Sequence, residues 1–212
     1  MTKQELLQQT KGYFSVNRDV SKLLPNKTMT RRVIKNYDQN IIKAIWENIT
    51  VTNSKTEQNF IKKYSKYKIG DVLWLREPVK IAEHDGEFGS WIKYLSDNTK
   101  KYICISDKYA NKKWFLKCQS IPNGCLKEMA RYFIKITDVK VERLQDIKPK
   151  DIYKEGYLFA KTEHSLKEIN INYNKAYKWF INLWNSTAPK DYKWEDNPFV
   201  FVYEFEYINY KG

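Results

Sequence analysis

Phe199-Val200-Phe201-Val202-Tyr203-Glu204-Phe205-Glu206-Tyr207-Ile208 is the stretch on which the fold turns. Its aromatics occupy one parity, while Val200, Val202, Glu204, Glu206 and Ile208 occupy the other. Aromatic and β-branched side chains at period two fit a pleated strand with at least one face against a core. Such a strand needs neighbours, and two upstream segments supply them. Ile69 to Arg76 reads as a turn feeding a strand, with Pro78 ending it or marking an edge. Tyr132 to Leu144 reads as another strand. Its apolar phase switches between Ile134/Ile136 and Val139/Val141, which calls for a bulge near Thr137-Asp138.

Helical periodicity fills the intervals. Ile41, Ile42, Ile45 and Trp46 share one face over Asp38 to Asn48. Phe60, Ile61, Tyr64 and Tyr67 do so over Thr56 to Tyr67, with Ser54 and Glu57 at capping-box spacing. Pro149 suits the first position of a short helix ending at Glu155, and Gly156 its left-handed stop. Ala176, Trp179, Phe180, Leu183 and Trp184 make Asn174 to Ser186 amphipathic. Strands mixed with helices in this way predict an α+β fold. Residues 83–124 are the least regular part. Lys93 to Lys117 carries seven lysines against Asp97 and Asp107, a basic, β-rich excursion. The expectation is one domain over 1–212, with a core at about 12–82 and 125–208 and the insertion at 83–124.

With 38 Lys and Arg against 25 Asp and Glu, the chain of 212 residues carries a formal charge of +13. That field attracts phosphate polyanions. A lysine-rich codon usage gives the same total without a function, so only clustering is informative. Aromatic residues make up 16 % of the chain, enough for a packed core despite a mean hydropathy of -0.71. Cys104, Cys118 and Cys125 lack C-x-x-C spacing and imply a reducing compartment rather than disulfides or zinc. The polar residues from Met1 to Thr10 lack a signal-peptide core, and no apolar run reaches a membrane span. A soluble, cytoplasmic protein without membrane contact is expected. Glu83, His84, Asp85 and Glu87 cluster only as a solvated loop, and glycine-rich phosphate motifs are missing. Neither a metal nor a cofactor is expected.

Five segments in order resemble the phage and prophage branch of the ASCH-domain family, whose members are PUA-like. Lys27-Thr28-Met29-Thr30-Arg31-Arg32, with Phe14-Ser15 upstream, is similar to the family's K-T-x-T-R-R motif. Tyr67 to Glu77 resembles its Y-x-x-G-D-x-L-W-V-R-E segment. Arg131 and the run Ile136 to Ile147 resemble its I-T-D-V-R-V-E-R-L-Q-D-I stretch, and Glu155-Gly156 its E-G pair. Leu183-Trp184, then Trp194 and Asn197-Pro198 before the aromatic strand, look like its closing block. The likeness spans roughly 12–208 and implies a mixed β-barrel with flanking helices. Two departures stand out. Pro25-Asn26 replace a glycine-bearing approach to Lys27, and Cys125 to Glu128 replace a tryptophan-containing M-P-R-W.

The resemblance implies RNA, single-stranded nucleic acid or a modified nucleoside as partner, held in a pocket of the barrel. Three cations and two hydroxyls within Lys27 to Arg32 suit a phosphate or carbonyl grip, or equally a solvated turn. Arg31 and Arg32, the Arg76-Glu77 pair at a strand end, Arg131 and Asn197 are the polar binding candidates. Trp74 and Trp194 are the stacking candidates, Trp194 being favoured by its loop position. Trp46, Trp179 and Trp184 read as core. An amidohydrolase branch acting on acetylcytidine implies a catalytic set of Lys27, Thr30 and Glu155. In it a Lys27 amine of lowered pKa activates the Thr30 hydroxyl, and Glu155 at a helix end donates a proton. Three readings remain open: a binding module, a nucleoside deacylase, and an accessory protein that contacts a host protein.

Overall fold

The computed structural model describes residues 1–35, 42–43, 54–84, 89–104, 109, 111–158 and 166–210. The chain is α+β. The terminal alternation becomes strand β8 (Phe199–Tyr207), buried on both faces from Phe199 to Tyr203. It can be so because β8 lies between β7 (Phe133–Arg143) and β2 (Met29–Val33) in a five-stranded sheet ordered β1-β3-β7-β8-β2. β1 (Gly12–Ser15) runs parallel to β3 (Val72–Arg76), and the β3–β7 and β8–β2 pairings are antiparallel. In β7 two successive exposed residues, Thr137 and Asp138, separate buried Ile134 and Ile136 from buried Val139 and Val141. The phase switch legible in the sequence is therefore real. A second sheet is a three-stranded antiparallel meander of β4 (Val79–His84), β5 (Ser90–Tyr94) and β6 (Lys100–Ile103).

Contacts divide the chain into two compact units. The first comprises Met1–Leu24, Asp71–Lys135 and Tyr207–Gly212. Its core gathers Leu6, Trp74, Val79, Ile81, Ile92, Tyr94, Met129 and Phe133. Leu6 comes from α1 (Lys3–Gln9), whose start is fixed by a capping box between Thr2 and Glu5. The β-rich part of the excursion begins at Val79, since Val79 already pairs with Tyr94. A short helix, α4 (Lys113–Leu116), follows it, and α2 (Arg18–Ser21) is capped by Asn17.

The second unit comprises Pro25–Gly70 and Ile136–Glu206. On one face of its strands, Met29, Val200 and Val202 pack with Ile152 of α5 (Pro149–Lys154) and with Ala176, Phe180 and Trp184 of α6 (Leu166–Thr187). Full burial of each such side chain contributes roughly 1.5–3 kcal/mol. On the other face, Phe201 meets Phe60 of α3 (Ser54–Tyr64), and Tyr203 meets Tyr67 edge-on at 5.4 Å. α3 stops three residues before Tyr67, because Ser65 turns its hydroxyl to the Tyr67 carbonyl and the Tyr203 hydroxyl. Glu57, read as a capping-box partner, accepts from the Val141 N–H. α5 ends as expected, with Glu155 at its C-cap and Gly156 at φ 109°. The helix expected over Asp38 to Asn48 lies almost wholly outside the described residues.

Candidate functional site

Lys27, Arg31 and Glu155 come together in the second unit, and backbone stitching explains why; Thr30, opposite Tyr203 in the register, shares only the cavity beside them. The Thr28 N–H donates to the Lys154 carbonyl at 2.8 Å, and the Thr28 carbonyl accepts from Phe205 N–H at 2.9 Å. The chain entering β2 is thus fastened to the end of α5 on one side and to β8 on the other. This carries Lys27 onto Glu155. Its ammonium bonds the Glu155 carboxylate directly and donates to the Glu155 carbonyl at 3.1 Å. Arg31, two residues beyond Met29 on the same face of β2, reaches the same carboxylate. Its Nη1 donates to the other Glu155 carboxylate oxygen at 3.0 Å.

The network extends past the expected trio. Arg31 Nε and Nη2 both donate to Glu142 of β7, at 2.9 and 2.6 Å, and Nη2 also reaches Asp151 of α5 at 3.3 Å. The Arg31 guanidinium lies 5.9 Å from the centre of the Phe180 ring. Two cations and three carboxylates are gathered, and all but Glu142 are nearly inaccessible. Burial, the largest cause, pulls the Lys27 pKa below its ordinary value; Glu155 opposes this, and the Arg32 and Arg31 charges reinforce it. For Arg31, burial acts downward, yet Glu155 and Glu142 prevail and hold its pKa above the ordinary guanidinium value. Ions desolvated this way are costly unless fully compensated.

Beside this network lies a cavity of about 210 Å³. Thr30, Arg31, Arg32 and Glu155 form one wall; Phe180, Leu183, Trp184 and Thr187 from the last turns of α6 form the other, and Lys35 also borders it. Arg32 is exposed, whereas Thr30 and Arg31 are buried. Both carboxylate oxygens of Glu155 accept from cations, an arrangement suited to a hydrogen-bond acceptor more than to the proton donor expected from its helix-end position.

The remaining candidates have structural employment. Trp194 is partly buried against the α6 core, its ring 6.1 Å from Phe180, and its backbone N–H donates to the Asn185 side-chain oxygen. Asn197 sits at φ 43°, a left-handed turn position; its side chain accepts from the Gln145 N–H and its carbonyl from Arg143. In the first unit Trp74 is 7 % exposed, with the Tyr13 ring 5.4 Å away, so it belongs to the core. The Arg76-Glu77 pair is not a pair. Fully buried Glu77 takes Arg131 instead, at 2.8 and 2.9 Å. Arg76 lies 4.7 Å over the Tyr13 ring, and its Nε has no hydrogen-bond partner among the described residues.

Arg131 is the better-defined surprise. Its fork bonds Glu77 twice, then Ser96, Asp97 and Thr99 in the β5–β6 turn. A guanidinium has five N–H donors, and those contacts engage every one. Tyr94 lies 4.0 Å and Tyr132 5.1 Å from it. Nothing is left to grip a phosphate; Arg131 clamps the turn.

Sequence reasoning missed Glu142 and Asp151 as Arg31 partners, and Phe180, Trp184 and Lys35 as cavity residues. Phe180 and Trp184 carried a signal, since they lie four apart on one helical face, but that signal is the same for core and for cavity wall. No family model matches this chain, and no curated protein or solved structure does.

Proposed function

We propose that this chain is a PUA-like protein of the ASCH type that takes a modified nucleoside or its base into the cavity of the second unit. On this reading the five-stranded sheet is the described part of the barrel. The observation that carries it is the shared cavity. Thr30, Arg31, Arg32 and Glu155 line it together with the aromatic Phe180 and Trp184. The Arg31 donors are spent on Glu142, Met29, Glu155 and Asp151, so Arg31 fixes Glu155 in place, and Lys27 is bonded to the same carboxylate. Polar groups of fixed position opposite an aromatic wall are what a planar, hydrogen-bonding ligand needs. The volume falls below the roughly 300–1,000 Å³ of drug-sized sites, which favours a base or a short acyl group over a threaded oligonucleotide.

A second reading, hydrolysis of an acylated cytidine, is favoured by Lys27 in particular. A lysine whose pKa is lowered by burial can accept the proton of the Thr30 hydroxyl as that oxygen attacks the acyl carbonyl. Collapse of the tetrahedral adduct breaks the C–N bond, and the same proton passes from Lys27 to the leaving amine. Water then hydrolyses the acyl-threonine ester. Glu155 orients Lys27 throughout, and Arg31 holds Glu155.

Incubation with acetylcytidine, followed by chromatography, tests both readings. Cytidine release that vanishes in Thr30→Val supports the deacylase. Saturable binding of the nucleoside without release leaves the binding module. Absence of binding at millimolar nucleoside ends both.

A further inference from the structure

We propose that the outer face of the β4–β5–β6 sheet, in the first unit, binds a single-stranded nucleic acid. The register carries the inference. Lys80 stands opposite Lys93, and Lys93 opposite Lys100, so three lysines form one row across three strands. Directly opposed like charges destabilise a sheet. Among the described residues no carboxylate is within ion-pair distance of any of the three. Lysine on an edge strand has an ordinary use in discouraging edge-to-edge pairing, and this accounts for Lys100 on β6. It does not account for Lys93, which sits on the central strand.

Two residues along, about 6.6 Å away, the same face carries an aromatic pair. Trp91 is paired with Tyr102; the two are 40 % and 39 % exposed, with ring centres 5.7 Å apart. Cross-strand aromatic pairing stabilises a hairpin by itself, but it does not call for a lysine row beside the two partly exposed rings. Lysines for phosphates, next to exposed rings for bases, are the composition of a single-strand platform. Glu83 stands opposite Trp91 on the far side from Tyr102. There a carboxylate accepts from a base amine and does not face the phosphate row. The opposite face of the sheet holds Ile81, Ile92 and Tyr94 in the core, so among the described residues it is this face that carries the exposed side chains.

The surface is independent of the cavity, and an inactive cavity leaves it standing. The test is fluorescence anisotropy of the full chain with a labelled oligouridine of about ten nucleotides, titrated at several salt concentrations. Replacing Lys80, Lys93 and Lys100 together by Ala should lower the slope of log K against log salt by about 2, at about 0.7 per phosphate contact. The single Lys93→Gln change should lower it by about 0.7. Trp91→Ala should weaken binding roughly five- to a hundred-fold with the slope retained. The triple variant should melt no lower than the parent, since it relieves repulsion. Absence of binding at low salt, an unchanged slope in the lysine variants, or equal affinity for a duplex of the same length would each overturn the proposal.

Discussion

Arg31 and Glu155 meet at 3.0 Å with their side chains almost wholly inaccessible, while Lys27 closes on the second oxygen of the same carboxylate. One carboxylate therefore compensates two buried cations, and its loss cannot be local. Glu155→Ala should destabilise the chain by about 3–5 kcal/mol, since it strands charge in a dry site. Urea denaturation is the measurement; a midpoint equal to the parent's would contradict the network. Lys27→Met with Glu155→Leu should recover much of the loss, because a paired apolar replacement removes both ions together.

Lys27 also sets a pH dependence. Its folded pKa is depressed below the ordinary 10.5, so between the two values the unfolded chain binds more protons than the folded one. From this group, stability rises with pH through that window and falls as pH drops through the folded pKa. If the deacylase reading holds, kcat/KM should rise with pH to a midpoint below 10.5. Lys27→Arg, which cannot lose its proton, should be inactive across the range. A flat profile would remove Lys27 as the base.

Arg131 should act on stability and on the first unit alone. Arg131→Ala leaves Glu77, fully buried, without its partner, at about 3–5 kcal/mol. Arg131→Lys keeps the charge but cannot reproduce the five-donor fork, so it should fall between Ala and the parent. Thermal melts order the three, and a lysine variant as stable as the parent would show that the fork geometry is unimportant.

Gly124 holds the chain against that same glutamate. Its φ is +93°, and a Cβ placed there would sit 2.8 Å from the Glu77 carbonyl oxygen. Gly124→Ala is thus strained in conformation and blocked by backbone, and should cost more than about 1 kcal/mol. Equal melting temperatures for the two chains would refute this.

Cys125 is fully buried, and its thiol donates to the Leu75 carbonyl at 3.6 Å. Burial pushes its pKa up to about 12. A raised folded pKa leaves its stabilising contribution intact below the ordinary 9.0 and erodes it as pH climbs toward 12. Tyr94 and Tyr207, raised chiefly by burial, act in the same direction above their ordinary 10.0. Thermal midpoints should therefore drop in this alkaline range as the three contributions overtake that of Lys27. At neutral pH a thiol reagent should modify exposed Cys104 quickly and Cys125 only on unfolding.

Much of the fold was legible because it obeys local rules. Strict alternation located β8, the parity switch located the change of phase in β7, and the Pro149–Gly156 punctuation located α5 to within one residue at its end. α6 is longer than its amphipathic part suggested. The candidate site was legible only in part. Lys27, Thr30, Arg31 and Glu155 were singled out through a resemblance, and the backbone bonds around Thr28 bring Lys27 and Glu155 together over a separation no periodicity encodes. Adjacency misled at Arg76-Glu77, because neighbouring residues on a strand point to opposite faces. Glu77 looks to Arg131 across 54 positions.

Alternation, capping and charge are properties of a few consecutive residues, so the sequence by itself determined the α+β class, its main strands and helices, and the basic character of the excursion. Partnership between buried ions is a property of three-dimensional proximity in a low dielectric, where each charge must find its complement or impose several kcal/mol. Only the tertiary structure decided that Glu155 joins Lys27 to Arg31, that Arg131 clamps a turn, and that Lys80, Lys93 and Lys100 stand in one row.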